Sequence, residues 1–125
     1  MSDLERRLTE RLGPKGVTTD PATLAPHLQE WRGRYSGRTP LAVFPANTED
    51  VAFAVRAAAD AGVKITTQGG NTGLVGGQIP EGELLLVLTR MNAVHALDAQ
   101  NDSITAEAGV VLSDVQHAAA ESNRL

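Results

Sequence analysis

The residues most suited to chemistry form a glycine cluster at positions 67–77, where five glycines occur within nine residues. Glycine has no Cβ, so its backbone can adopt positive φ and approach another group closely. Successive free N–H groups in such a turn form a concave nest for an anion, usually phosphate. Asn71 and Thr72 lie inside the cluster and would add side-chain donors. The cluster therefore predicts a phosphate site made mainly of backbone amides.

Two familiar phosphate motifs do not describe this cluster. A Walker loop needs Lys and then Ser or Thr after its last glycine, but no Lys occurs between Ile65 and Leu125. The dinucleotide fingerprint needs glycines at i, i+2 and i+5, and Gly69, Gly70 and Gly73 are spaced differently. A strand is expected after the cluster, so we expect no helix N-terminus at the loop. A mobile glycine loop that merely joins two strands is the alternative that composition leaves open.

Other residue types that often carry chemistry do not cluster. The absence of Cys excludes disulfides, thiolate metal sites and cysteine nucleophiles. His27, His95 and His117 are far apart in the sequence and share no ligand spacing, so we expect no metal site. The acidic pair Glu49 and Asp50 is explained as negative charge at the start of a helix. No residue of the chain is a candidate general base.

Cations and aromatic residues alternate in residues 31–35, a mixture found in proteins that bind single-stranded nucleic acid. The net charge of −4 and the scarcity of aromatic residues argue against a nucleic-acid partner. We therefore interpret Trp31 as a packed side chain and the neighbouring arginines as solvated.

The pattern before residue 40 is helical. Leu4, Leu8 and Leu12 form an apolar stripe that predicts a first helix, ended by a Gly-Pro pair. A short second helix is predicted with Asp20 as its N-cap, running toward Trp31. Residues 32–39 are predicted to be a loop.

From residue 41 onward the pattern predicts an α+β fold. A strand at 41–44, a helix capped by Asn47 and stopped at Gly62, and a strand at 63–67 form a β-α-β unit with a parallel crossover. Three further strands are predicted at 84–88, 93–97 and 103–107, of which the last two form a hairpin. A final helix is predicted from about Leu112. The predicted fold is a small β-α-β subdomain followed by the start of a second mixed sheet.

The cluster at residues 68–77 resembles the phosphate loop of the FAD-linked oxidases related to vanillyl-alcohol oxidase and p-cresol methylhydroxylase, and most of all their D-2-hydroxyglutarate and D-lactate dehydrogenase branch. Thr67 stands where that branch usually has proline, so we expect a less rigid entry to the loop. The resemblance runs from about Asp20 to the C-terminus. Supporting segments occur in the same order at residues 31–35, 43–45 with 49–51, 88–92 and 106–110.

This resemblance implies a PCMH-type FAD-binding domain whose glycine loop wraps the pyrophosphate of FAD. Covalent members carry a His in or near the loop, but none lies between Ala46 and Asn92, so we expect non-covalent FAD. Residues 31–35 would pack near the cofactor or the substrate entry, and residues 108–109 near the cofactor. The implied FAD contacts, mostly through backbone N–H groups, are Gln68, Gly69, Gly70, Asn71, Thr72, Gly73, Leu74, Gly76 and Gly77.

The resemblance also implies that the chain is an N-terminal fragment of a longer enzyme. Residues 1–39 would be an N-terminal helical segment and loop, and residues 40–125 the incomplete N-terminal part of the FAD-binding domain. The substrate site and the catalytic residues would follow Leu125. The full-length enzyme would oxidise a D-2-hydroxy acid, such as D-lactate or D-2-hydroxyglutarate, to the 2-oxo acid and reduce an unknown acceptor. The alternative is a stand-alone β-α-β domain that binds a phosphate ligand or a partner without redox activity.

Hydropathy and charge also predict location and association. The longest apolar run, at residues 84–88, is too short to span a bilayer, and the polar, acidic start does not resemble a secretory signal. We therefore expect a cytoplasmic protein without a membrane span. The apolar stripe of the last helix has no evident partner in so short a chain, so self-association of the fragment is expected. That stripe consists of Leu112, Val115, Ala118 and Ala119.

Overall fold

The computed structural model describes residues 2–124 and confirms the predicted mixture of helices and strands. The helices are α1 (Ser2–Leu12), α2 (Pro21–Leu24), α3 (Thr48–Asp60) and α4 (Leu112–Glu121), and a 3-10 turn at Ala25–His27 follows α2. The strands are β1 (Val17–Thr18), β2 (Ala42–Val43), β3 (Ile65–Gln68), β4 (Leu84–Val87), β5 (Val94–Asp98) and β6 (Ser103–Ala106).

The first sheet is mixed and has the strand order β1-β2-β4-β3. β4 lies between β2 and β3 and is parallel to both, whereas β1 pairs antiparallel with β2 at the edge. The sequence predicted β2, α3 and β3 as a β-α-β unit. The structure keeps these elements but separates the two strands by β4, which arrives later in the chain. The β1 strand was not predicted, because two residues are too few to show a periodicity.

The central strand β4 is buried along its whole length because both faces of the sheet are covered. Leu84 and Leu86 face the larger core, where α1 and α3 contribute Leu4, Leu8 and three alanines of α3. Leu85 and Val87 face the opposite side and pack with Leu24 and Phe44. This second, smaller core places the segment after α2 beside the carboxyl ends of β3 and β4.

The predicted helix boundaries are confirmed where a polar cap was recognised. Asn47 Oδ1 accepts a hydrogen bond from the N–H of Asp50 at 2.8 Å, and Gly62 closes α3 with φ of +69°. Asp20 caps α2 by accepting from the N–H of Thr23 at 3.1 Å. The Thr23 hydroxyl and N–H both hold the pKa of Asp20 below its usual value. α2 is shorter than predicted because Pro26 follows it.

Within the described residues, the second sheet is an antiparallel hairpin of β5 and β6. The mixed sheet of this fold is therefore the first sheet, β1-β2-β4-β3. α4 packs on β5, where Val115 and Ala119 line a small hollow together with Leu97 and Ile104. The expectation that the stripe of α4 has no partner is therefore wrong for its C-terminal half. Leu112 is 69% exposed, and self-association of the chain stays a prediction.

The boundary predicted between residues 39 and 40 also stays a prediction. α1 packs on α3, and β1 is paired with β2, so residues 1–39 contribute to the same core and the same sheet as the residues that follow.

Candidate functional site

The glycine cluster belongs to an irregular connection, residues 69–83, between the neighbouring parallel strands β3 and β4. Parallel neighbours are usually joined by a crossover that contains a helix. A long connection without a helix or strand of its own is uncommon in a compact domain and is often functional. Leu88 N–H donates to Gln68 O at 2.9 Å, which holds the two strands together at the point where the loop departs. The loop is therefore anchored at the carboxyl end of the sheet.

Between Gly69 and Leu74 the loop leaves its backbone donors free, and two of its six carbonyl oxygens are satisfied. None of the backbone N–H groups in this stretch donates to an atom of residues 2–124. In contrast, Gly73 O accepts from Gln78 Nε2 at 2.8 Å, and Leu74 O accepts from Arg32 Nη2 at 2.9 Å. A row of unused backbone N–H groups attracts an anion. This arrangement is the one expected for a phosphate loop.

The shape of the loop is maintained by two side-chain amides. Gln78 Nε2 donates to Asn71 Oδ1 at 3.1 Å as well as to Gly73 O, so it bridges the inside of the bend. Asn71 has φ of +57°, and its Nδ2 donates to Pro26 O at 3.1 Å and Gln29 O at 2.9 Å. The expectation that Asn71 offers a side-chain donor to a ligand is wrong, because both of its amide hydrogens are used within the protein. Its backbone N–H remains free.

Two glycines of the cluster lie against side chains of the protein. A Cβ on Gly73 would lie 2.8 Å from Gln78 Oε1, and a Cβ on Gly76 would lie 2.9 Å from the Tyr35 ring. Gly76 also has φ of +82°, which a residue with a Cβ rarely adopts.

The other three glycines have no such close neighbour. A Cβ on Gly69 would come no closer than 3.8 Å to Ala108 O, and one on Gly70 would make ordinary contact at 3.4 Å with Val111. A Cβ on Gly77 would meet nothing within 4 Å. None of the three has positive φ. Their missing side chains leave open space beside the free N–H groups, as a bound ligand would need.

Gln68 differs from the other predicted contact residues because its side chain is buried and fully engaged. Its Nε2 donates to His27 O at 2.9 Å and to Gln78 O at 3.1 Å, and its Oε1 lies 2.7 Å from His27 Nδ1. The side chain joins the loop to the segment after α2. Because the side chain is used within the protein, only the backbone of Gln68 is left to contact FAD, and this contact stays a prediction.

A short hairpin at residues 28–37, which we call the strap hairpin, contacts the loop at Asn71, Leu74 and Gly76. Gln29 and Ser36 form an antiparallel bridge, Glu30 N–H donates to Tyr35 O at 3.1 Å, and Gly37 N–H donates to Leu28 O at 2.7 Å. The sequence predicted only a loop from residue 32. Trp31 lies at the tip and is 71% exposed, so the interpretation of a packed tryptophan is wrong. No periodicity is present in so short a hairpin, so sequence reasoning missed it.

A buried carboxylate organises the tip of the strap hairpin. Glu30 is 1% exposed, and its carboxylate accepts hydrogen bonds from the N–H groups of Arg32 and Arg34. Burial by itself would raise the pKa of Glu30, but these two donors and the Arg32 guanidinium at 3.6 Å hold the pKa below its usual value. Glu30 is therefore charged at neutral pH and fixes the backbone around Trp31.

Two clefts flank the loop and share Gly70. The first has a volume of about 300 Å³ and the second about 580 Å³. The first turn of α4 lines the second cleft, so the expectation that no helix N-terminus lies at the loop is wrong: α4 approaches from a distant part of the sequence. The first cleft is lined by Pro26, His27, Gln29, Trp31, Gly69, Gly70, Asn71 and Thr89, and the second by Gly70, Thr72, Val110, Val111, Leu112, Ser113 and Gln116.

The structure brings Gly69–Asn71 to the first cleft and Gly70 and Thr72 to the second, whereas Leu74 and Gly77 lie farther along the exposed part of the loop. Within residues 2–124, no group of three acidic or histidine side chains is placed to hold a metal ion. In the same part of the chain, no helix is both long and apolar enough to cross a membrane.

Comparison with known proteins finds several relatives and a family whose description agrees with a phosphate-binding loop for a flavin nucleotide. A family model described as an FAD binding domain matches residues 39–125. The chain is 34% identical over 105 residues to a mitochondrial D-2-hydroxyglutarate dehydrogenase of Danio rerio, and 37% identical over 105 residues to a mitochondrial protein of Schizosaccharomyces pombe with a provisional D-lactate dehydrogenase name. Each alignment covers 83% of the chain and 20% of the relative, so the chain spans about a fifth of their length.

Solved structures agree on the fold. The chain superposes on p-cresol methylhydroxylase with a TM-score of 0.83 at 22% identity, covering 98% of the chain and 25% of that structure. A 4-ethylphenol oxidase of Gulosibacter chungangensis gives the same TM-score at 25% identity, covering 98% of the chain and 24% of that structure. The predicted PCMH-type fold is therefore confirmed.

Proposed function

Because the chain belongs to the FAD binding domain family, we propose that it is the FAD-binding part of a longer flavin-dependent oxidoreductase, which we call the parent enzyme. The parent enzyme oxidises a D-2-hydroxy acid, such as D-lactate or D-2-hydroxyglutarate, to the 2-oxo acid. The names of the relatives from Danio rerio and Schizosaccharomyces pombe support this substrate class. Substrate and electron acceptor bind to parts of the parent enzyme other than these 125 residues.

One observation carries the cofactor assignment: the free N–H groups of Gly69–Leu74 lie beside the open Cβ positions of Gly69 and Gly70. A pyrophosphate has several anionic oxygens that need donors at close range, and a side chain at either glycine would occupy that space. The Arg32 guanidinium ties the strap hairpin to the loop at Leu74 O, and its charge is paired with the Glu30 carboxylate 3.6 Å away. The residues present therefore fit the phosphates of a dinucleotide.

FAD supplies the hydride acceptor when it is bound, and the residues of the chain bind and orient it. The backbone amides from Gly69 to Leu74 would hold the pyrophosphate oxygens, and the bridge from Gln78 fixes the bend that carries them. The first turn of α4 adds further N–H groups at the second cleft. Gly76, with φ of +82°, allows the loop to turn back toward β4, and contacts of Gly76 and Gly77 with FAD stay predictions. Non-covalent FAD is supported by the absence of His between Ala46 and Asn92, although His27 reaches the cleft from another segment and contacts Gln68.

The test is to purify the parent enzyme and measure its flavin. We expect about one FAD per protein molecule, released by denaturation, and bleaching of the flavin under anaerobic conditions by a D-2-hydroxy acid. The L-enantiomers serve as matched controls and should leave the flavin oxidised. A folded, colourless parent enzyme that ignores added FAD would instead support a stand-alone phosphate-binding domain without redox activity. The 125-residue chain alone should bind FAD weakly or not at all, because most of the relatives' length is absent.

Two further assignments belong to this proposal. The boundary between residues 39 and 40 separates an N-terminal segment from the FAD-binding domain proper, which the family match to residues 39–125 supports, and the two segments share one core and one sheet. The parent enzyme is cytoplasmic. Fractionation of the source cells tests this location, and recovery from an organelle would contradict it.

A further inference from the structure

The geometry points to Trp31 as the stacking surface for a planar ring of the nucleotide whose phosphates occupy the glycine loop. This inference rests on the proposed function, because it requires a ring-bearing phosphate ligand at Gly69–Leu74. The shared chemistry is an aromatic ring joined to a pyrophosphate, and in FAD it belongs either to adenine or to isoalloxazine. Both rings have flat π-faces that stack on an indole.

The position of Trp31 supports this role. Its side chain is 71% exposed, yet it lines the first cleft together with Gly69, Gly70 and Asn71. The free N–H groups of the loop start in the same cleft. A ligand whose phosphates bind these amides therefore has the indole within reach of the group attached to them. No hydrogen bond or aromatic partner within residues 2–124 occupies the indole.

The backbone that presents Trp31 is fixed in advance. Gly33 N–H donates to Glu30 O at 2.9 Å, so Trp31 occupies a tight turn, and Gly33 has φ of +74°. The buried Glu30 carboxylate accepts from two further N–H groups in this turn. Arg32, next to Trp31, is tied to the loop through Leu74 O. A turn stabilised by a buried charge loses little freedom when a ligand stacks on its tip.

His27 supplies the polar edge of the same cleft, and its tautomer follows from its neighbours. Gln68 Nε2 donates to two carbonyl oxygens, so Gln68 Oε1 must be the acceptor in its 2.7 Å contact with His27 Nδ1. Nδ1 therefore carries a hydrogen, and in the neutral ring Nε2 is an acceptor. Within residues 2–124, Nε2 has no hydrogen-bond partner. Adenine and isoalloxazine each carry an N–H donor at the ring edge that such an acceptor can bind.

The test compares ligands with and without a ring in the parent enzyme after its FAD has been removed. Dissociation constants for FAD, FMN, ADP and inorganic pyrophosphate are measured for the wild type and for Trp31→Ala, Trp31→Phe and Val75→Ala. Val75 is the matched control, because it is exposed and apolar, lies on the same loop, and does not line the cleft. His27→Phe removes the polar edge and keeps a ring of similar size, and because it also breaks the bond to Gln68, its pyrophosphate affinity measures any disturbance of the loop.

We expect Trp31→Ala to weaken FAD about tenfold, because stacking on one ring contributes roughly 1–3 kcal/mol, and to leave pyrophosphate unchanged. Trp31→Phe should recover part of the loss, and His27→Phe should weaken the same ring-bearing ligand as Trp31→Ala. If Trp31→Ala weakens ADP as much as FAD and leaves FMN unchanged, the ring that stacks on Trp31 is adenine. If it weakens FMN and leaves ADP unchanged, the ring is isoalloxazine. Unchanged FAD binding in Trp31→Ala would overturn the inference, and so would an equal loss for pyrophosphate. If the wild type binds neither FAD nor pyrophosphate, the proposed function itself fails.

Discussion

The two halves of the glycine loop use the same residue type for opposite purposes. In the first half, Gly69 and Gly70 have space where a Cβ would be, and the N–H groups around them are unused. In the second half, that space is filled by Gln78 at Gly73 and by Tyr35 at Gly76, whereas it is open at Gly77. A glycine with open space beside the free N–H groups of Gly69–Leu74 is explained by a ligand, whereas a glycine in contact with a side chain is explained by the fold. The distinction separates binding from stability within one short segment.

The largest effect that tests this comparison is expected from Gly70→Val. The new side chain would enter the space between the two clefts and approach Val111, so at least two hydrogen bonds to the pyrophosphate should be lost. Each hydrogen bond to a charged group contributes roughly 1.5–3 kcal/mol, so FAD should bind about 100-fold more weakly, or worse. Titration of the parent apoenzyme measures the loss. Circular dichroism should show the same fold, and undiminished FAD binding would remove Gly70 from the site.

The opposite outcome is expected for Gly76→Ala. A Cβ there combines positive φ with a 2.9 Å approach to Tyr35, so the free energy of unfolding should fall by about 1–3 kcal/mol. Urea unfolding of the chain measures this change. Combining Gly76→Ala with Tyr35→Ala should restore the stability lost through the clash with the ring. The stability lost through the positive φ should not return. Unchanged stability in Gly76→Ala would mean that the second half of the loop is not held by the strap hairpin.

A smaller effect is expected from Gln78→Leu, which removes the bridge inside the loop without adding volume near the ligand. Asn71 Oδ1 and Gly73 O would lose their donor, so the loop should sample shapes in which its N–H groups diverge. FAD should bind about tenfold more weakly, the effect of losing roughly 1.4 kcal/mol of preorganisation. Gln100→Leu, at an exposed turn residue, is the matched control and should bind normally. Equal binding by both variants would show that Gln78 has no positioning role.

The smallest effect concerns Glu30 and acid. Its pKa is lower in the folded chain than in the unfolded one, so its contribution to stability is complete above the unfolded value of about 4.3 and is lost as pH falls through the folded value. Chemical unfolding between about pH 7 and pH 3 should therefore show a decline that Glu30→Gln makes shallower. Asp20 and Glu83, whose pKa values are also lowered, should account for part of the remaining decline. An identical slope in wild type and Glu30→Gln would contradict this role.

Local patterns were predictable from the sequence, whereas long-range placements were not. Asn47, Gly62 and Asp20 mark helix ends through contacts with residues only a few positions away, and all three predictions are confirmed. The phosphate loop was recognisable because its glycine density is local. The packing of α4 beside Gly70 and the bond between His27 and Gln68 join segments that are 41 or more residues apart. Composition and periodicity contain no information about such pairs.

Trp31 is a second example of a placement that the sequence did not predict. An isolated tryptophan is usually assigned to a core, and the expectation followed that rule. In the structure, the Glu30 carboxylate is buried and bound to the Arg32 N–H, while Trp31, the next residue in the same turn, is exposed. A buried acid cannot be distinguished from a solvated one in a single sequence.

The position of β4 at the centre of the first sheet has a consequence for how the chain reaches its native state. β2 and β3 are not neighbours, so this sheet cannot be completed during synthesis until residues 84–87 have left the ribosome. Closure of the connection at residues 69–83 is therefore a kinetic step shared by folding and cofactor capture. Lengthening that connection should slow refolding even where the equilibrium stability is unaltered.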